Sequence, residues 1–199
     1  ECADLAGSGY TAIQVSSPGE HKSHLTVGGN PWWVRYQPVS YLLESRSGSM
    51  QDFADMVAAC DAAGIDIIVD VVINPMANAG QGALGLGGTF YFGSSYNFPN
   101  TYTPDDFHYC GTDPGGAREH DIFNFGSRFE VQNCELVGLA DIDTGAPGPR
   151  ATLTSYLQML INFGVDGFRV DAAKHVSSSD LGAIFGGLTG NPYIVQEVI

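Results

Sequence analysis

The chain has 199 residues, of which 44% are apolar, 11% aromatic and 15% charged, a profile that excludes a disordered or fibrous protein and matches a packed globular one. Eight Lys and Arg against 22 Asp and Glu give a formal net charge of −14, a field that repels phosphate backbones and anionic lipid and so argues against nucleic acid and membrane partners. No run approaches the ~20 uninterrupted apolar residues of a membrane span, because the most apolar stretch, residues 65–73, is broken by Asp66 and Asp70.

Residues 1–6 read as the end of a helix stopped by Gly7 and Gly9, and residues 11–15 as a short strand ending at Ser16-Ser17-Pro18. The loop that follows carries an aromatic run, Trp32-Trp33-Val34-Arg35-Tyr36-Gln37-Pro38. An extended chain sends Trp32 and Trp33 to opposite sides, and Trp33 is the one expected to face a ligand. A second helix is well specified, with Ser49 as N-cap, Asp52 in its first turn, Phe53, Met56, Val57 and Cys60 on one face, and Gly64 as its stop. Residues 65–72 are β-branched and almost wholly apolar, the pattern of a parallel strand covered on both faces.

From residue 74 to 134 the periodicity gives way to Gly-, Asn-, Pro- and aromatic-rich sequence, too long for a connection and better read as an inserted subdomain. Leu153, Leu157, Leu160 and Ile161 then mark a helix that ends near Gly164, and residues 167–170 a strand. Ser178 or Ser179 caps a further helix with Leu181, Ile184, Phe185 and Leu188 on one face, before a last strand at 193–195. Strict alternation of strand and helix predicts a parallel sheet with right-handed crossovers, either doubly wound or a (β/α)8 barrel. A closed barrel takes roughly 250 residues, so on the barrel reading the chain is about half of one.

Cys2, Cys60, Cys110 and Cys134 show no metal-ligand spacing, which argues against zinc and leaves two disulfides or four buried thiols. An even count beside only two lysines, Lys22 and Lys174, points to an exported protein. His21, His24, His108 and His120 show no ligand spacing and are expected at the surface, and Asp105, Asp106 and Asp113 as solvated loop acids.

Three predicted strands end on an acid, Asp70, Asp171 and Glu197, at the carboxyl ends where parallel α/β proteins gather their sites. One such acid is most often a helix cap; three in one mouth suit glycosidic bond cleavage or a hard cation. Arg169 shares a strand face with Asp171 and is expected to keep it ionised as a nucleophile, whereas Glu197, among apolar neighbours and without an adjacent base, is expected to be the protonated acid.

These segments resemble the α-amylase family of glycoside hydrolases, its animal-like bacterial members most closely. Gly167-Phe168-Arg169-Val170-Asp171-Ala172-Ala173-Lys174-His175 is similar to the nucleophile segment, Asp70-Val71-Val72-Ile73-Asn74 to the third-strand segment and Gln196-Glu197-Val198-Ile199 to the acid segment. Residues 136–141 resemble the segment closing the inserted calcium-binding domain, and residues 32–38 the substrate-stacking loop.

The resemblance implies an α/β fold, a partial TIM (β/α)8 barrel. Barrel parts would lie at 1–74 (strands 2 and 3) and 135–199 (strands 4 and 5), with a loop-rich domain B inserted at 75–134 after strand 3. Strand 1, strands 6 to 8 and the third catalytic Asp after strand 7 are expected outside this chain. The implied activity is endo-hydrolysis of α-1,4-glucosidic bonds in starch with retention of configuration, with Asp171 as nucleophile, Glu197 as acid/base, and Asp70 and Arg169 beside them. Trp33 and Tyr36 would stack on glucose rings, and Gln37, Lys174 and His175 would contact sugar hydroxyls. Asn74, Asp141 and the backbone carbonyls of Gln132 and His175 would hold Ca²⁺, an oxygen-only set that suits this hard cation. Disulfides Cys2–Cys60 and Cys110–Cys134 follow by the same resemblance, and Arg169 is similar to one ligand of a chloride site, which makes chloride a further candidate ligand. The full-length parent is expected to be a secreted monomer acting on starch or maltooligosaccharides, and the isolated chain to be inactive.

One departure stands out. Pro75 occupies the place where the family nearly always has His, which removes an imidazole expected at the cleaved bond, a loss on the order of 10² to 10³ in rate. Two rival readings follow, an α-glucan transglycosylase of the same superfamily and a non-catalytic glucan-binding remnant.

Overall fold

In the computed structural model, which describes residues 1–23, 29, 31–78, 82–111 and 121–199, the chain opens with α1 (Cys2–Gly7) and β1 (Ala12–Val15). His24, Asp113 and His120 lie outside the described residues. Helix α2 (Met50–Asp61) starts on a capping box: Ser49 accepts from the Asp52 N–H while the Asp52 carboxylate takes the Ser49 N–H. Gly64, at φ 74°, turns the chain out of the helix into β2 (Asp66–Val71).

Two short strands, β3 (Ala83–Leu84) and β4 (Phe90–Tyr91), form an antiparallel pair inside the predicted insertion, followed by the single turn α3 (Arg128–Val131). Helix α4 (Pro147–Asn162) begins one and a half turns ahead of the Leu153 stripe, because its first turns, Pro-Gly-Pro-Arg, carry little of the apolar stripe. β5 (Gly167–Val170), α5 (Ser178–Gly186) and β6 (Tyr193–Gln196) complete the described chain. The N-cap of α5 is Ser177, and neither Ser178 nor Ser179. Ser177 keeps extended backbone and accepts the Asp180 N–H at 3.1 Å, whereas the next two serines are already helical.

The main sheet is parallel throughout, in the order β1-β2-β5-β6. Alternate residues of each strand separate its two faces. Ile67, Val69, Val71, Phe168 and Val170 pack against Val57 and Cys60 of α2, Leu153, Leu157 and Leu160 of α4, and Leu181 and Ile184 of α5. Each such side chain contributes about 1.5–3 kcal/mol on burial. Ile68, Asp70, Gly167 and Arg169 form the other face, the one a closed barrel turns inward. On that face Asp70 is almost fully buried and Ile68 half-buried. Gly167 is required there, since a Cβ would stand 2.6 Å from Tyr193 O of the neighbouring strand.

A second core, separate from the first, stacks Tyr91, Phe98, Tyr102 and Phe107 against Met76, Ala140, Ile142 and Val39. Cys2 is bonded to Cys60, joining α1 to α2, and Cys110 to Cys134 within the insertion, so no cysteine is free. Among the described residues no helix is long and apolar enough to cross a membrane.

Candidate active site

Register assembles the site. Asp70 on β2 stands opposite Arg169 on β5, and Arg169 opposite Val195 on β6. Asp171 N donates to Val71 O and Glu197 N to Val170 O, each at 3.0 Å, which carries both ladders one residue past the strands and fixes the two acids at the rim. Arg169 Nη1 lies 2.7 Å from Asp70 Oδ1 and 2.6 Å from Asp171 Oδ1, and Nη2 lies 2.5 Å from Glu197 Oε1. One guanidinium fork therefore holds three carboxylates that would otherwise repel one another.

Arg169 meets Asp171 as expected, and one expectation, that Glu197 has no adjacent base, is corrected. Burial pushes the Asp171 carboxyl up to about 6, outweighing the opposing pull of Arg169, with the Asp70 and Glu197 charges adding to the rise. Arg169 thus offsets a desolvation cost without restoring an ordinary carboxylate. Glu197 does have an adjacent base, because the β5–β6 pairing delivers Arg169 to it across the sheet. Its other oxygen accepts the Ala172 N–H at 2.9 Å, and Ala172 adopts φ 46°, the left-handed region where a residue with a Cβ is uncommon.

The aromatic run is a 3₁₀ helix, Trp32–Tyr36, and not an extended chain. The two tryptophans are therefore not sent to opposite sides: both line one cleft of about 500 Å³ together with Tyr36, Gln37, Arg169, Asp171 and Glu197. Trp32, passed over in favour of Trp33, is the more exposed, 71% against 37%. Tyr36 Oη donates to Asp70 Oδ2 at 3.0 Å; burial, then the Asp70 charge and this hydrogen bond, push its hydroxyl up to about 12, so it remains a donor. A cavity of about 560 Å³ between residues 40–42, 99–101 and α4 has no acid or base in its lining, so the chemistry sits in the smaller cleft.

Lys174 and His175 do not line that cleft. Lys174 Nζ donates to Ile199 O at 2.8 Å, and His175 Nδ1 pairs with Val131 O at 2.9 Å, which turns the imidazole toward α3. In their stead the cleft takes Pro75, Leu136, Val137 and Leu139. Leu139 N closes a tight turn on Leu136 O at 3.1 Å, with Val137 at φ 50° and Gly138 at φ 71°. A β-branched residue is strongly disfavoured at that place, so Val137-Gly138 carries no turn signal in the sequence.

Three of the residues expected around calcium, Asn74, Asp141 and His175, are in contact at the junction of insertion and sheet. Asn74 Nδ2 donates to Asp141 Oδ1 at 2.6 Å and to His175 O at 3.4 Å, and Asn74 Oδ1 accepts Ile142 N at 3.0 Å. Gln132 is drawn alongside, its Nε2 donating to Val176 O at 3.4 Å. Of the histidines expected at the surface, His21 is buried and His108 half-buried; His108 Nδ1 lies 2.6 Å from Asp141 Oδ2 and its Nε2 3.2 Å from Asp143 Oδ1. Burial lowers its basicity, but the hydrogen bond and charge of Asp141 outweigh that and raise it above the ordinary value. The available signal was the spacing of Asp141 and Asp143, two residues apart on an extended stretch and so on one face. Among the described residues no group of three or more His, Cys, Asp or Glu side chains is placed to hold a metal ion, so a cation here would rest largely on amide and carbonyl oxygens.

Comparison with known proteins bears on this geometry. A family model described as "Alpha amylase, catalytic domain" matches residues 40–183. The chain is 44% identical to an alpha-amylase of Thermomonospora curvata, over 100% of this chain and 33% of that protein, and 42% identical to an alpha-amylase-related protein of Drosophila serrata, over 98% and 40%. A variant of alpha-amylase I from Eisenia fetida, solved in complex with maltohexaose, superposes with a TM-score of 0.91 at 41% identity, covering 100% of this chain and 42% of that one. The chain thus spans between a third and about two fifths of the length of these relatives.

Proposed function

Because the chain belongs to the α-amylase family of glycoside hydrolases and its open parallel sheet is part of a (β/α)8 barrel, we propose that the full-length protein cleaves α-1,4-glucosidic bonds of starch-type glucans internally, with retention of configuration. One observation carries this reading: Arg169, itself held by the buried Asp70, gathers Asp171 and Glu197 in a cleft walled by Trp32, Trp33 and Tyr36. Paired carboxylates beside aromatic faces are what glycoside hydrolysis needs.

In the proposed reaction Asp171, ionised above about pH 6, attacks the anomeric carbon as Glu197 gives its proton to the departing glycosidic oxygen. The glycosyl ester on Asp171 is then cleaved by water, whose proton returns to Glu197. Tyr36 and Arg169 hold Asp70 in place. Gln37 contributes a buried Oε1 that has no hydrogen-bond partner among the described residues and can accept from a sugar hydroxyl.

We further propose that Asn74, Asp141 and the carbonyls of Gln132 and His175 hold Ca²⁺. The support is local: Asp141 is 3% exposed, and Asn74 draws its carboxylate and the His175 carbonyl together, oxygen donors of the kind a hard cation takes. The ion would cross-link insertion and barrel. Two disulfides and a scarcity of lysine support export, and a monomer is the proposed state.

The test is reducing-sugar release from soluble starch by the full-length protein and by Asp171→Asn, with the anomeric configuration of the first products followed. Asp171→Asn is expected to lose at least about 10³-fold; retained activity overturns the nucleophile assignment, and products longer than the substrate would point to glycosyl transfer. Pro75 in the cleft lining favours a second reading, glucan binding without turnover, for which retention on a starch column without sugar release is the mark.

A further inference from the structure

Glu20 is a carboxylate with no solvent exposure, away from the cleft and without a role in the chemistry above. Its Oε2 accepts the Ser40 hydroxyl at 2.6 Å and its Oε1 the Thr89 backbone N–H at 3.0 Å. Ser40 Oγ itself accepts from Leu42 N at 3.2 Å, which leaves its proton for Glu20. Two glycines make room for the carboxylate: a Cβ on Gly85 would overlap Oε1, and one on Gly87 would stand 3.1 Å from it. The turn between β3 and β4 is folded around Glu20.

The same short stretch holds the aromatic wall. Val39 N donates to Glu20 O and Lys22 N to Gln37 O, each at 2.9 Å, while Leu86 N donates to His21 O at 3.0 Å. Residues 20–22 therefore lie between 37–39 on one side and the insertion turn on the other. Arg46 closes the loop, its backbone N–H on His21 Nε2 and its Nη1 on the carbonyl of Pro31, each at 3.2 Å. Pro31 immediately precedes the 3₁₀ helix of Trp32, Trp33 and Tyr36.

We propose that Glu20 is a positioning residue: it locks the insertion turn and the loop carrying the aromatic wall into one unit, and so sets where that wall stands relative to the carboxylates. The kinetic part of this proposal rests on the glucan-cleaving reading; the structural part does not. Gln is isosteric with Glu but replaces one acceptor with an NH₂ donor, so in Glu20→Gln either the Ser40 hydroxyl or the Thr89 N–H is left buried and unpaired.

In the full-length protein, Glu20→Gln is expected to raise KM for maltoheptaose about tenfold with kcat within about threefold, and to lose amide hydrogen-exchange protection in residues 32–40 and 83–91 together. Gly85→Ala, whose methyl collides with the intact Glu20, is expected to raise KM likewise. Ser40→Ala, which removes the hydroxyl that Glu20 Oε2 accepts, is expected to raise KM likewise and to lose protection in both segments, and it decides the matter should Glu20→Gln not fold. An unchanged KM, a fall confined to kcat, or protection lost only in 83–91 overturns the proposal. If the wild-type protein cleaves no α-glucan, the functional reading fails on its own, and the exchange pattern alone decides for or against the clamp.

Discussion

Asp70 and Arg169 stand opposite each other in the β2–β5 ladder and are joined by a 2.7 Å ion pair, with Asp70 almost fully buried. A buried carboxylate is tolerated only with a partner, and the partner here reaches past Asp70 to Asp171 and Glu197. The two strands thus fix the charge of the cleft as well as its shape.

Arg169→Gln removes a group that lowers the Asp171 carboxyl against its burial. If Asp171 must be ionised, kcat/KM of the wild-type parent rises with pH through about 6, and without Arg169 this acid limb moves to higher pH. A fall of about 10² to 10³ in kcat is expected as well. The pH profile on a maltooligosaccharide checks the sign, and an acid limb that stays or moves down contradicts the assignment.

Pro75 is buried at the cleft and brings no polar side-chain atom. Pro75→His is expected to raise kcat/KM by at least about tenfold, the lower end of what one aligned donor supplies. Steady-state kinetics on starch and maltoheptaose would show it; no gain means that this cleft works without an imidazole.

Calcium bound to the folded state alone adds about 2.7 kcal/mol at a hundredfold excess over its Kd. The full-length protein is accordingly expected to melt several degrees lower in EDTA than in calcium, and Asp141→Asn to lose that difference. Calorimetry in the two buffers reads it directly. Equal increments in wild type and variant would remove Asp141 from the ligand set.

Trp32→Ala and Trp33→Ala are both expected to raise KM for long maltooligosaccharides, each by the equivalent of about 1 kcal/mol of lost aromatic contact. Were only Trp33→Ala to matter, the exposure of Trp32 on the cleft wall would be incidental to substrate.

Much of the scaffold was legible because local signals agreed. The Ser49 capping box, the Phe53–Cys60 stripe and Gly64 specify α2 almost to the residue, and β5 falls on residues 167–170 as its apolar pattern requires. Boundaries slipped where the signal was degenerate: three successive serines each qualify as the cap of α5, and only the backbone conformation of Ser177 selects it. Asp70, Arg169, Asp171 and Glu197 were found because each ends or flanks a strand. His108, Trp32 and Val137 were not. Histidine spacing says nothing of a partner brought by another segment, a 3₁₀ turn reads like an extended run, and Val137 sits in a conformation its side chain opposes.

The sequence by itself determined the alternation of strands and helices, the acids at three strand ends and the kinship of the chain, because these depend on periodicity and on short contiguous motifs. Tertiary structure alone decided the electrostatics. Whether Asp171 is lowered by Arg169 or raised by burial, whether Glu197 meets a base and what Glu20 holds together all turn on distances between residues far apart in the chain and on the loss of water around them. Desolvation and charge pairing are of similar size and opposite sign, and only the folded geometry gives their difference.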